Sequence, residues 1–80
     1  MKQLSKLIKE KRKDANLSQS ELSVALGYKN GQFISNIERD LCGVPLKKAG
    51  LLCELIVIDP NEFKAVLMFD FENKIDAALL

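Results

Sequence analysis

Histidine is absent from this chain of 80 residues. That removes imidazole catalysis and every His-containing zinc site within one chain. Only two cysteines occur, Cys42 and Cys53. They are too few to cage a metal and read as reduced small hydrophobes. The four glycines, Gly27, Gly31, Gly43 and Gly50, are scattered and build no phosphate-cradling loop. No apolar run approaches the roughly 20 residues that span a bilayer. The opening "MKQLSKLIKEKRK" places charges where a signal peptide needs an unbroken apolar region. Carboxylates are plentiful, but nothing marks a pair as sharing one pocket. The expectation is a cytoplasmic protein that is not an enzyme. It implies no cofactor, no metal and no membrane partner, and no small-molecule effector is evident.

What is present suits one small domain over residues 1–80. A domain this size buries only about 60% of its unfolded surface, so a second subunit would be a natural complement. Net charge is +1, but its distribution is uneven. Residues 1–48 hold ten Lys or Arg against five Asp or Glu, a balance of +5. Residues 49–80 hold two lysines against six acids, a balance of −4. Either solvated charges are unevenly dealt, or one end meets a polyanion and the other does something else.

Periodicity predicts an all-α fold of five helices. Leu4, Leu7, Ile8 and Lys11 follow the 3.6 repeat over residues 2–15, and Asn16 is placed to end that helix. Ser18 and Glu21 form a capping box that opens the second, with Leu22, Ala25, Leu26 and in part Val24 as its apolar side. Gly27 stops it with a left-handed residue. A third helix is expected over 30–39 with Asn30 as N-cap. Pro45 suits the first position of a fourth helix reaching about residue 55, with Leu46, Ala49, Leu52, Cys53 and Ile56 inward. Asp59–Pro60 opens a fifth over about 60–77. "LIVI" at 55–58 has the composition of a strand, but no second segment would pair with it.

The third helix poses the sharpest question. In "GQFISNIERD", Phe33, Ile34, Ile37 and Leu41 make one stripe and Gln32, Ser35, Asn36 and Arg39 the opposite one. A merely solvated face usually carries Lys and Glu. This one carries two amides, a hydroxyl and a guanidinium.

The stretch "LSQSELSVALGYKNGQFISNIE", residues 17–38, resembles the DNA-binding core of the lambda-repressor-like (Cro/C1, XRE-type) family. That family's blocks run Leu-Ser-Gln-x-x-Leu-Ala, then Leu-Gly, then Ile-Ser-x-x-Glu, and each stands here in order. Arg12 precedes Leu17 by five residues, where the family commonly has arginine, and "IDPNEF" is similar to the opening of its last helix. The likeness covers about residues 4–63. Departures are Ser23 for the usual alanine, one extra residue between Gly27 and Ile34, Asp40 for a usual glycine, and a Leu41–Pro45 turn without basic residues.

The resemblance implies a helix-turn-helix at about 18–39 and double-stranded DNA as partner. Matched from Ile34 and Glu38, Gln32, Ser35 and Asn36 occupy the family's base-reading positions, where amides bond adenine and a small hydroxyl reaches several bases. Ser18, Gln19, Lys29, Asn30, Lys47 and Lys48 fall where phosphates are contacted. Arg39 serves either a phosphate or the helix dipole. Tyr28 packs beneath the turn or bonds a phosphate, packing being favoured. By the same resemblance Arg12 pairs with Glu38 and holds the first helix to the third, rather than touching DNA.

The last helix carries more apolar surface than a closing helix needs. Phe63, Val66, Leu67, Phe71, Ala78 and Leu79 form one stripe, with Met68, Phe69 and Ile75 partly outside it. Phe63, Leu67, Met68, Phe69, Phe71 and Ile75 are therefore expected at a homodimer interface. The expected function is sequence-specific transcriptional regulation, repression above all, by a homodimer on a palindromic operator. The alternative is an antitoxin or protein-interaction adaptor with the same fold.

Overall fold

A computed structural model describes residues 3–80, and every regular element among them is an α-helix. In chain order these are α1 (Gln3–Asp14), α2 (Gln19–Ala25), α3 (Gln32–Glu38), α4 (Leu46–Ile56) and α5 (Pro60–Leu79). The expected first residue of the first helix, Lys2, lies outside the described residues. No described helix is long and apolar enough to cross a membrane.

The first four helices all end in one way. A residue in the left-handed region follows each: Asn16 (φ 59°), Gly27 (φ 96°), Asp40 (φ 64°) and Val57 (φ 56°). The next N–H then reaches back five residues: Leu17 to Arg12, Tyr28 to Ser23, Leu41 to Asn36 and Ile58 to Cys53. This closure satisfies carbonyls that a helix end would otherwise leave unpaired. Glycine, asparagine and aspartate accept the conformation at modest cost, whereas a β-branched side chain crowds its own backbone there. Asp40 also accepts a bond from Ser5 Oγ at 3.1 Å, which ties this left-handed residue to α1.

Starts are set by side chains. Ser18 and Glu21 form the reciprocal capping box on α2, Ser18 Oγ accepting from Glu21 N at 2.9 Å and Glu21 Oε1 from Ser18 N at 3.0 Å. These bonds hold the Glu21 carboxyl below the usual range, the Ser18 backbone N–H contributing most. Asp59 caps α5 through Asn61 N, with Pro60 as its first residue. Pro45 occupies the N-cap position of α4, one residue earlier than expected, and makes no side-chain cap bond.

The core is aliphatic. Ile8, Leu22, Leu26, Ile34, Leu52 and Ile56 are fully buried, and Leu4, Ile37, Cys53, Ile58 and Phe63 complete it. Burial pushes the Cys53 thiol up, keeping it protonated and hydrophobe-like. Four residues expected on apolar faces are outside. Leu41 is 63% exposed because Asp40 turns the chain out of the helical repeat. Leu46, 80% exposed, keeps the right stripe of α4 but sits in its first residue, beyond the end of the core. In α2, Val24 and Ala25 are also exposed, while Ser23 is fully buried.

Helix α5 has two halves. Phe63, placed at a homodimer interface by its sequence pattern, belongs instead to the chain's own core, and Val66 and Leu67 pack against that core half-buried. Met68, Phe69, Phe71, Ile75 and Leu79 are exposed, as is every residue from 71 to 80. Between the halves lies Asp70. Its carboxylate accepts from Gln3 N at 3.1 Å and Leu4 N at 2.9 Å, capping α1 from the far end of the chain. Helix α1 has no acid in its own first turn, and Asp70 supplies the missing negative charge.

Two stability outcomes follow from these ends. Val57→Gly removes a β-branched side chain from a left-handed position and should stabilise the fold by about 1 kcal/mol. For a domain this small that raises the thermal midpoint by roughly 4–8 °C. An unchanged or lower midpoint would show that Val57 is not strained. Asp70→Ala should cost about 1–2 kcal/mol by uncapping α1, with Asp70→Asn restoring most of the loss, as chemical denaturation would read.

Candidate functional site

Helix α3 is fixed before its polar stripe is considered. Ser23 Oγ, inside α2 and fully buried, accepts from Ile34 N at 3.2 Å. Asn30 Oδ1 accepts from Gln32 N at 2.9 Å. Two N–H groups of the first turn, which lack partners within α3, are thus held by its surroundings. The N-cap position itself is Gly31, not Asn30, although Asn30 does the side-chain bonding. Gly31 stands where α3 meets α2 closely: a Cβ there would lie 2.9 Å from Ser20 Oγ and 3.1 Å from Ser20 N. Ser23 is therefore a cap reaching across from one helix to the next.

The other end of α3 is held by Glu38, a carboxylate only 5% exposed. Arg12 Nε donates to its Oε2 at 2.6 Å and Arg12 Nη2 to its Oε1 at 3.1 Å. Gln19 Nε2 donates to Oε1 at 3.1 Å, and Arg12 Nη1 donates to the Leu17 carbonyl at 2.8 Å. One carboxylate therefore joins α1, α2 and α3. The two-pronged geometry offsets the loss of water that burying these charges entails.

With the inner side and both ends engaged, α3 turns Gln32, Ser35, Asn36 and Arg39 away from the core. Gln32 and Arg39 are exposed, and Ser35 and Asn36 half-buried. Gln32 Nε2 donates to Asn36 Oδ1 at 2.7 Å, so the two amides act as one unit. Arg39 is the C-cap residue of α3.

The residues expected at phosphates divide. Lys29, Asn30 and Lys47 are exposed, and so is Ser18, whose hydroxyl oxygen is engaged with Glu21. Gln19 is turned inward to Glu38 rather than outward. Lys48 is drawn against the α2–α3 turn, its ammonium 5.6 Å from the centre of the Tyr28 ring. Tyr28 stacks on Phe33, centroids 3.8 Å apart and planes 11° from parallel, so it packs beneath the turn. The stack and its lysine bring a cation from α4 beside Gly27 and Tyr28, which sequence spacing alone does not reveal.

Sequence reasoning missed Ser23 and Asp70. Ser23 offered one signal, a polar residue on the apolar side of a short helix. Asp70 offered another, a lone acid within "VLMFDF".

No protein-family model, curated protein or solved structure matches this chain.

Arg12→Ala would leave Glu38 buried with Gln19 alone. The expected cost is about 3–5 kcal/mol of stability, which on this small domain approaches unfolding. Arg12→Lys should recover only part, because an ammonium cannot present two parallel N–H groups. Denaturant titration of both variants tests this. Near-wild-type stability for Arg12→Ala would make the arginine a surface ligand instead of a brace.

Proposed function

We propose that the chain is a sequence-specific DNA-binding transcriptional regulator, a repressor acting as a homodimer on a palindromic operator. In this reading α2 and α3 form a helix-turn-helix of the lambda-repressor-like kind, with α3 laid in the major groove. The observation that carries it is the outward stripe of Gln32, Ser35 and Asn36 on a helix fixed at both ends. Base edges in the major groove present the donors and acceptors that such groups bond. A recognition helix must also be held rigidly enough to tell one base from another.

The surroundings of the stripe support the same partner. The +5 balance of residues 1–48 supplies a positive field, with Lys29 in the α2–α3 turn, Lys48 beside it, and Lys47 exposed in the first turn of α4. Ser18 and Asn30 add short polar groups able to donate to phosphate oxygens. Gln19 gives one Nε2 proton to Glu38 and keeps the second as its donor toward a phosphate. Arg39 extends the stripe toward the flanking backbone.

Homodimerisation would use the outer half of α5. Met68, Phe69, Phe71 and Ile75 are exposed there, with Leu67 half-buried at the edge. A two-fold axis through this half would present the two α3 helices to half-sites about one DNA turn apart, roughly 34 Å. The same exposed apolar residues favour a second reading, an antitoxin or adaptor whose α5 docks on a different protein.

Purified protein challenged with DNA from its own upstream region, at several salt concentrations, tests the proposal. The expected result is a symmetric footprint whose affinity falls steeply with salt. Ile75→Glu should convert the protein to a monomer in sedimentation and weaken operator binding without unfolding it. A wild-type chain that sediments as a monomer at micromolar concentration and footprints nothing would favour the adaptor reading.

A further inference from the structure

We propose that the cavity between α1, α3 and α5 is a binding site for a small aromatic amine. The inference stands apart from the DNA-binding reading, because it rests on the walls of this cavity alone.

The cavity measures about 180 Å³. An apolar protein cavity of about 150 Å³ is already large enough to take up benzene. Its apolar walls are Leu4 of α1, Ile37 of α3, Val44 of the turn that follows, and Leu67 and Phe71 of α5. A ring that enters displaces water from these surfaces, and Phe71 offers it an aromatic contact. No stretch of sequence announces the site, since its walls come from four separate parts of the chain.

Charge selects the head group. Among the described lining residues Asp40, Asp70 and Lys74 carry charge, a balance of −1. Asp70 is the one held in place: it is 9% exposed, and its two oxygens accept from Gln3 N and Leu4 N. Those bonds use two of a carboxylate's roughly four acceptor positions, which leaves capacity for a further N–H donor. Lys74 is exposed, and its flexible stem lets the ammonium stay in water. A protonated amine on the ligand therefore meets a fixed, largely desolvated carboxylate, the setting in which charge-assisted bonds are strongest. A ligand carboxylate would meet like charge at the same place.

The class that satisfies walls and charge together is an aromatic ring joined by a short arm to an amine that is protonated at neutral pH. Such a ligand would touch α1, α3 and α5 at once, and so tighten the attachment of α5 where its outer half begins.

The test is titration of the full-length protein with phenethylamine, with the uncharged 2-phenylethanol and with the anionic phenylacetate. Methyl NMR signals of Leu4, Ile37, Val44 and Leu67 report binding. Phenethylamine should give saturable shifts confined to these groups and bind about tenfold more tightly than the alcohol, as a hydrogen bond to a charged group provides. Phenylacetate should bind most weakly. Asp70→Asn keeps an acceptor for α1 and should hold a thermal midpoint near wild type. It should erase the tenfold preference for the amine while leaving the affinity for the alcohol unchanged.

Equal affinity for the three compounds in the wild type would overturn the proposal, with no variant needed. So would an amine preference that survives Asp70→Asn, or shifts spread over the whole surface. Shifts at these methyl groups that follow protein concentration and ignore the amine would assign the cavity to a second copy of the chain, and would overturn it too.

Discussion

Glu38 is a carboxylate withdrawn from water at the centre of three helices. Such a charge is costly unless donors replace its hydration, and here Arg12 and Gln19 do so. The consequence is geometric as well as energetic. Because Arg12 approaches with a planar fork, and also holds the Leu17 carbonyl, the direction of α1 and the start of α2 are set relative to α3. Leucines and isoleucines alone would pack these short helices in several nearly equivalent ways. Helices α2 and α3 have seven residues each, too few to persist without tertiary support.

The same logic runs through the remaining polar burial. Ser23 and Asp70 are both used as caps for helices other than their own. Each sits in an otherwise apolar setting and holds N–H groups at a helix start, where neighbours along the chain cannot. Capping from a distance does two things at once: it satisfies the helix end and fixes where a second helix stands. Asp70 in this way fastens the middle of α5 to the first turn of α1, which leaves the outer half of α5 projecting with its apolar residues uncovered. The uncovered surface is the physical counterpart of the acidic, hydrophobic character of residues 49–80.

On the outward side of α3, polar groups are bonded where they meet the rest of the protein and open where they face away. Asn30, Ser23 and Glu38 hold the helix. Gln32 and Asn36 hold each other and retain unspent donors and an acceptor. A helix arranged in this way has rigid placement and unsaturated hydrogen-bonding capacity, two properties that recognition of another polar surface requires. The Tyr28–Phe33 stack closes the space beneath the turn and carries Lys48 to its edge.

Helix existence and most helix ends were legible in the residues because they depend on interactions within five positions. Asn16, the Ser18–Glu21 box, Gly27 and Asp59–Pro60 act through their immediate neighbours, so the chain declares them locally. Val57 was not legible as a helix stop, since nothing in a valine announces a left-handed backbone; the packing of Ile56 and Ile58 into the core forces it. Leu41 and Leu46 read as core by spacing, but spacing fixes only the side of a helix, not whether the core extends that far along it. Phe63 read as an interface residue for the same reason. Asp70 reaches 67 positions along the chain to cap α1, and Ser23 reaches from one helix to the next. Residue type and order thus determined which segments are helical and which face of α3 is polar. Only the tertiary structure decided which polar groups are consumed in holding the fold and which are left to meet a partner, because that depends on donors brought together from distant parts of the chain.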